Sequence, residues 1–105
     1  MSGLKISLGG GGVRLPGWTH VDGDPQWEPD VTADLSQPLP FPDQSAAFLQ
    51  SEDFIGQLTF PQAEVFFREC FRVLRPGGVM RLLTPDLALL VTMYQQRDYR
   101  LREFW

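Results

Sequence analysis

Four consecutive glycines, Gly9-Gly10-Gly11-Gly12, follow directly on the apolar run Leu4 to Leu8. Such a run lets the main chain turn sharply and lets a ligand approach backbone that a Cβ would otherwise shield. Asp22 comes next, at the head of Asp22-Gly23-Asp24-Pro25. At a strand's end its two acceptor oxygens could take the paired hydroxyls of a ribose, and the same residue is equally an ordinary turn aspartate. Asp22 and Asp24 lack the further ligands at fixed offsets that a calcium loop requires, so no metal site is expected. The glycine spacing also argues against phosphates. The dinucleotide fingerprint G-x-G-x-x-G started from Gly9 meets Arg14, and started from Gly10 meets Leu15. The phosphate loop finds an echo in Gly12, Gly17 and Thr19, but its lysine position is Trp18. A ligand without phosphates, held by backbone approach and a carboxylate, fits what remains. His20, the single histidine, reads as a structural residue of its strand.

These residues need a scaffold, and the pattern of apolar residues predicts one. Leu4 to Leu8 reads as a buried first strand and Thr19 to Asp22 as a second, with too few residues between them for a crossover helix and Pro16-Gly17 interrupting them. Val31 to Leu35 is expected as a third strand, the proline-rich segment 38–43 as an extended surface connection, and Ala47 to Ser51 as a fourth strand. Over Thr59 to Leu74, Ala63, Phe66, Phe67, Cys70, Phe71 and Leu74 fall at helical spacing, which predicts a helix with one wide apolar face. Pro61 suits its first turn, Arg72 and Arg75 its C-terminal dipole, and Pro76-Gly77-Gly78 its end. A fifth strand over Val79 to Leu83 and a second helix from Thr84-Pro85-Asp86, lined by Leu87, Leu90, Val91 and Tyr94, complete the reading. Strands alternating with helices or crossovers predict an α/β parallel sheet, in which ligands sit beyond the carboxyl ends of the strands.

Composition bounds the class. The 105 residues make room for a single domain, 1–105, and 43% hydrophobic with 21% charged residues is the balance of a globular chain. No apolar run approaches a membrane span, the start lacks a secretory signal, and the cytoplasm is the expected compartment. Cys70 is the single cysteine, read as a packed core residue; an intrachain disulfide and a multi-cysteine metal site are excluded. With a net charge of −4 the chain has no overall electrostatic footprint for nucleic acid, and its arginines at 68–102 read as a solvated face.

In order along the chain stand Leu8-Gly9-Gly10-Gly11, Leu15-Pro16-Gly17-Trp18, Val21-Asp22, Asp34-Leu35, Leu39-Pro40-Phe41-Pro42-Asp43 and Arg72-Val73-Leu74-Arg75-Pro76-Gly77-Gly78. Together these resemble a class I S-adenosylmethionine (AdoMet)-dependent methyltransferase, of the Rossmann-like, methyltransferase type 11 kind, over nearly the whole chain. The resemblance implies a Rossmann-like parallel sheet of about five strands with flanking helices, without the family's usual two C-terminal strands. It implies AdoMet as cofactor, with Gly9, Gly10 and Gly11 bordering its methionine part and Asp22 taking the ribose. Asp34 and Leu35 would flank the adenine, Asp34 having a second reading as a loop carboxylate that caps backbone amides. Ser51 and Glu52 would sit near the sulfonium.

The sequence departs from the family's pattern after strand four, where Glu-His-(two apolar)-Glu-His-Leu is usual and Glu52-Asp53-Phe54-Ile55-Gly56-Gln57-Leu58 stands. A base with an imidazole is therefore missing there, and rate would come chiefly from orientation. The methyl acceptor is not legible. Strand five would be a sheet edge, and with the tail Tyr99 to Trp105 it is expected to form a self-association surface. The alternative function is a non-catalytic AdoMet-binding or Rossmann-like module acting as a partner subunit or truncated remnant.

Overall fold

The computed structural model describes residues 3–52 and 54–84. Five strands, β1 (Leu4–Leu8), β2 (Thr19–Asp22), β3 (Val31–Thr32), β4 (Ala46–Glu52) and β5 (Leu74–Leu83), form one parallel sheet in the order β3-β2-β1-β4-β5. The chain builds outward from β1 to β3, then returns to β1's other side with β4. That reversal makes the carboxyl ends of β1 and β4 the topological switch point, where open α/β sheets leave a crevice.

The first two strands fall where the apolar pattern places them, and the fourth is one residue longer at each end than expected. The third is shorter, Val31–Thr32 instead of Val31 to Leu35. Ala33 still donates its N–H to the Asp22 carbonyl, but Asp34 then accepts the Ser36 amide on its own carboxylate and turns the chain off the sheet.

The one α-helix among the described residues, α1 (Phe60–Val73), opens with a reciprocal cap: Thr59 Oγ1 accepts the Gln62 N–H, and the Gln62 side chain accepts the Thr59 N–H. It ends before the expected Pro76-Gly77-Gly78 stop, because Leu74 is already extended and pairs with Ala46. Residues 75–78 make a bulge between the pairs Ala46↔Leu74 and Phe48↔Val79; Pro76 has no N–H to give a ladder, and Gly77 takes φ +79°. The expected strand 79–83 is thus the regular half of a longer β5. The expected second helix, from residue 85 on, lies outside the described residues.

Ile6, Leu8, Val21 and Leu49 of the sheet form the core with Phe66, Cys70 and Val73 of α1, closed at one side by Leu35 and Leu39. Phe67 and Phe71, expected on the same buried face, stay 41% and 84% exposed. They lie further round the helix than Phe66 and Cys70, and no described element covers that flank.

Two connections are held by charge. Arg72 donates to the carbonyls of Leu39 and Phe41 and to the carboxylates of Glu69 and Asp43, while Glu69 also accepts the Leu39 N–H. The proline-rich segment is thereby clamped to α1. On the opposite face, residues 9–18 cross the sheet as an irregular loop, as the short spacing requires. Leu15 donates its N–H to His20 Nε2, Trp18 meets Phe48 at 6.5 Å, and Arg14 reaches the Glu28 carbonyl and, at 3.5 Å, Asp30. His20 is buried beneath this loop, as its structural reading expects.

Candidate functional site

Beyond the carboxyl end of β1 the chain turns through Gly9 at φ +74° and Gly11 at φ +59°. Both angles lie where only glycine is at ease. A Cβ at Gly9 would also meet the Phe54 ring at 2.6 Å, so this glycine is needed for the approach of an aromatic side chain as well as for its turn. The Gly11 N–H donates to Asp22 Oδ2 at 3.0 Å, and the Asp24 N–H donates to Asp22 Oδ1 at 2.9 Å. The turn role of Asp22 is therefore realised. An ionised carboxylate has about four lone-pair sites, so each oxygen keeps room for one hydroxyl donor.

Asp22 and Asp34 border one cavity of about 630 Å³, with Leu35, Phe54, Leu58 and Gln62 among the other lining residues. The size falls inside the roughly 300–1,000 Å³ of small-molecule sites. Asp34 Oδ1 accepts both the backbone N–H and the hydroxyl of Ser36, and these bonds hold its carboxyl below the usual carboxylate value. Its capping role too is realised. The cavity offers apolar and aromatic wall on the side of Phe54, Leu35 and Leu58 and two carboxylates at its rim, the combination that a flat base joined to a hydroxylated sugar requires.

The remaining expected residues are divided. Ser51 lies fully buried one residue before the end of β4, and its hydroxyl finds no hydrogen-bond partner among the described residues. Such an orphan costs about 1–3 kcal/mol and calls for an explanation in a site. Glu52 and Gly10 border a second, smaller cavity of about 230 Å³ with Ser7, Val13 and Gln50. Gly9 and Gly11 border neither cavity and act through backbone shape. Phe54, Leu58 and Gln62 were not singled out by their types. The signal for Gln62 was present in Thr59-x-x-Gln62, but a capping pattern says nothing about a cavity; Phe54 is placed by the three-residue turn Ile55–Gln57 and by its contact with Phe66, ring centroids 5.6 Å apart.

Among the described residues no group of three or more His, Cys, Asp or Glu could hold a metal ion, and no helix is long and apolar enough to cross a membrane. The Cys70 thiol, buried behind α1, is pushed up to about 12, first by burial and then by the neighbouring Glu69.

A family model described as a methyltransferase domain matches residues 19–82, more than half of the chain. The chain is 42% identical over 66 residues to a Mycolicibacterium smegmatis protein (strain ATCC 700084 / mc(2)155) described as a "probable S-adenosylmethionine-dependent methyltransferase"; the match covers 63% of this chain and 24% of that protein. The chain thus spans about a quarter of the length of this relative. A crystal structure of a protein assigned as an S-adenosyl-L-methionine-dependent methyltransferase from Methanococcus maripaludis superposes with a TM-score of 0.66 at 16% identity, covering 99% of this chain and 60% of that one. At that identity the likeness shows the fold, a Rossmann-like parallel sheet.

Proposed function

This chain belongs to the methyltransferase-domain family, whose cofactor is S-adenosylmethionine, and we propose that its cavity beside Asp22 and Asp34 binds that cofactor so that a methyl group can pass to an acceptor. The observation that carries the reading is the placement of Asp22. Its carboxylate stands at the end of β2, next to the switch point, tied to the glycine loop on one oxygen and open to the 630 Å³ cavity. The residues fit the group. Asp22 would hold the ribose hydroxyls, and Asp34 and Leu35 would flank the adenine with Phe54 and Leu58 as apolar walls; Ser51, expected near the sulfonium, is fully buried and borders neither cavity. The glycine loop would border the methionine end, with Gly10 and Glu52 on its far side. When bound, the cofactor supplies a methyl group on a positively charged sulfur, an electrophile that needs alignment more than acid or base. The chain's own part is to fix the nucleoside, exclude water with Phe54 and present the switch-point crevice.

Replacing Asp22 by Ala should weaken AdoMet by about 1.5–3 kcal/mol, the scale of hydrogen bonds to a charged group. Calorimetric titration of both proteins measures it, and equal affinities would remove Asp22 from the site.

A second copy of the chain is proposed as partner at β5. That strand stands last in the sheet order among the described residues. Beside it, the α1 flank exposes Phe60 (85%) and Phe71 (84%), with Leu82 half-exposed on β5. An edge with adjoining apolar area suits self-association. The aromatic tail assigned to the same surface lies outside the described residues. A cytoplasmic location accords with a single, buried cysteine.

A further inference from the structure

The last glycine of the run has no part in the turn. Gly9 and Gly11 need their positive φ, whereas Gly12 lies outside that region. What a side chain at Gly12 would meet is the indole of Trp27. A Cβ there would stand 3.2 Å from Trp27 Cε3 and 3.4 Å from Cζ3, and one at Gly11 would stand 3.9 Å from Cε2. The six-membered part of the indole therefore lies against Gly11 and Gly12, and Gly12 is a glycine to let it come so close. Trp27 is 45% exposed and lies outside the core. Its packing surface is the glycine loop.

The sequence after β2 builds this placement locally. Asp24 Oδ1 accepts the Gln26 N–H and caps the single turn Pro25–Trp27, which Pro25 opens. The Trp27 N–H donates to the Asp24 carbonyl, and Glu28 closes the turn at φ +50°, a left-handed conformation that a residue with a side chain keeps where its surroundings fix it. Arg14 does the fixing, donating to the Glu28 carbonyl and standing 3.5 Å from Asp30. Segment 20–30 thus grips the loop at successive points: Gly11 N–H on Asp22, Gly12 under Trp27, Arg14 on Glu28 and Asp30, and Leu15 N–H on His20. In dinucleotide-binding sheets the glycine loop opens a helix, which holds the loop from within. No helix stands between β1 and β2 here, so the loop is held from outside.

We propose that Trp27 is a positioning residue for the amino-acid end of the cofactor: its ring keeps Gly11 and Gly12 in the shape that borders that end, while the nucleoside end is held without it. The proposal rests on the cofactor reading above. The separation of the two ends has a structural ground. Trp27 is not among the residues that border the Asp22–Asp34 cavity, and it reaches the site through Gly11 and Gly12 alone. The Asp24 N–H bond to Asp22 and the Ser36 bonds to Asp34 involve neither the loop nor the indole. Removing the ring therefore frees the loop and leaves both carboxylates anchored.

The test compares the full chain's affinities for S-adenosylhomocysteine and for 5′-methylthioadenosine, which keeps the nucleoside and the thioether but lacks the amino acid. Trp27→Ala should weaken S-adenosylhomocysteine about 10-fold and methylthioadenosine by about 2-fold at most, and Trp27→Phe should restore most of the loss. Gly12→Ala, whose methyl group drives the ring off the loop, should give the same selective loss and add nothing further in the Trp27→Ala chain. A loss of equal size for the two ligands, or no loss for either, would overturn the proposal. One readout needs no ligand. Exchange of the Gly11 amide hydrogen, held by Asp22, should quicken about 10-fold in Trp27→Ala, and an unchanged rate would mean that the ring does not hold the loop. If the wild type binds both ligands and the selective loss is absent, the cofactor reading stands and the Trp27 assignment falls. If the wild type binds neither, the cofactor reading itself falls, and this role for Trp27 with it.

Discussion

Asp22 shows how one carboxylate can serve shape and binding together. Each of its oxygens accepts a backbone N–H, and these bonds hold the glycine loop and the following turn in the places from which a ribose could be reached. Sequence reasoning posed ribose holder and turn residue as alternatives, whereas the geometry lets one group do both, because a carboxylate accepts more than two bonds. Gly9 carries a similar lesson. Its type was legible as loop chemistry, but the Phe54 ring that fills the space beside it comes from a segment far along the chain, and no local pattern announces such a contact. Cys70 was legible as core from its helical position, and its environment yields a prediction. With its thiol pushed up to about 12 by burial, it should react with a disulfide reagent at pH 8 about 100-fold more slowly than in the denatured chain. Labelling at the rate of a free thiol would mean that α1 does not seal the core.

At the scale of elements, α1 does two jobs that its apolar periodicity reveals only in part. Phe66, Cys70 and Val73 close the sheet, while Glu69 and Arg72, on the adjoining polar flank, clamp segment 38–43 across about thirty residues of sequence. The motif residues were visible as motifs; what joins them is a tertiary contact that spacing cannot display. The helix ends at Val73, one residue before the expected Leu74, because Leu74 pairs with Ala46, and Pro76-Gly77-Gly78, read as a stop, falls in a bulge of β5. Glu69→Gln is expected to destabilise the fold by about 1.5–3 kcal/mol, since the side chain is largely buried and bonded to a guanidinium. Chemical denaturation checks the figure. The sign with pH follows from direction: the Arg72 hydrogen bond, against burial, holds Glu69 below its ordinary 4.5. Its contribution is complete above that value and is lost as pH falls through the depressed one. The wild type should therefore lose stability relative to Glu69→Gln on acidification below about 4.5, and parallel curves would contradict the clamp.

At the scale of the whole molecule, the described residues form a single sheet with α1 over one face and the loop 9–18 over the other. Its parallel order was legible, because strands separated by connections too long for hairpins read as βαβ units even where one connection holds no helix. Which face of the sheet each of Gln50, Ser51 and Glu52 occupies was not legible, since it is set by the register of β4 with β1 and β5. The last place of β5 among the described strands and the exposed Phe60–Phe71 flank predict dimers at tens of micromolar; light scattering should give twice the 11.9 kDa chain mass, and Phe71→Glu should restore the monomer. A monomeric wild type would assign that flank to some other cover. The most direct measurement is calorimetric titration of the folded wild-type chain with AdoMet. The account predicts saturable one-to-one binding of micromolar strength, about −8 kcal/mol; a folded sample that takes up no AdoMet would contradict it.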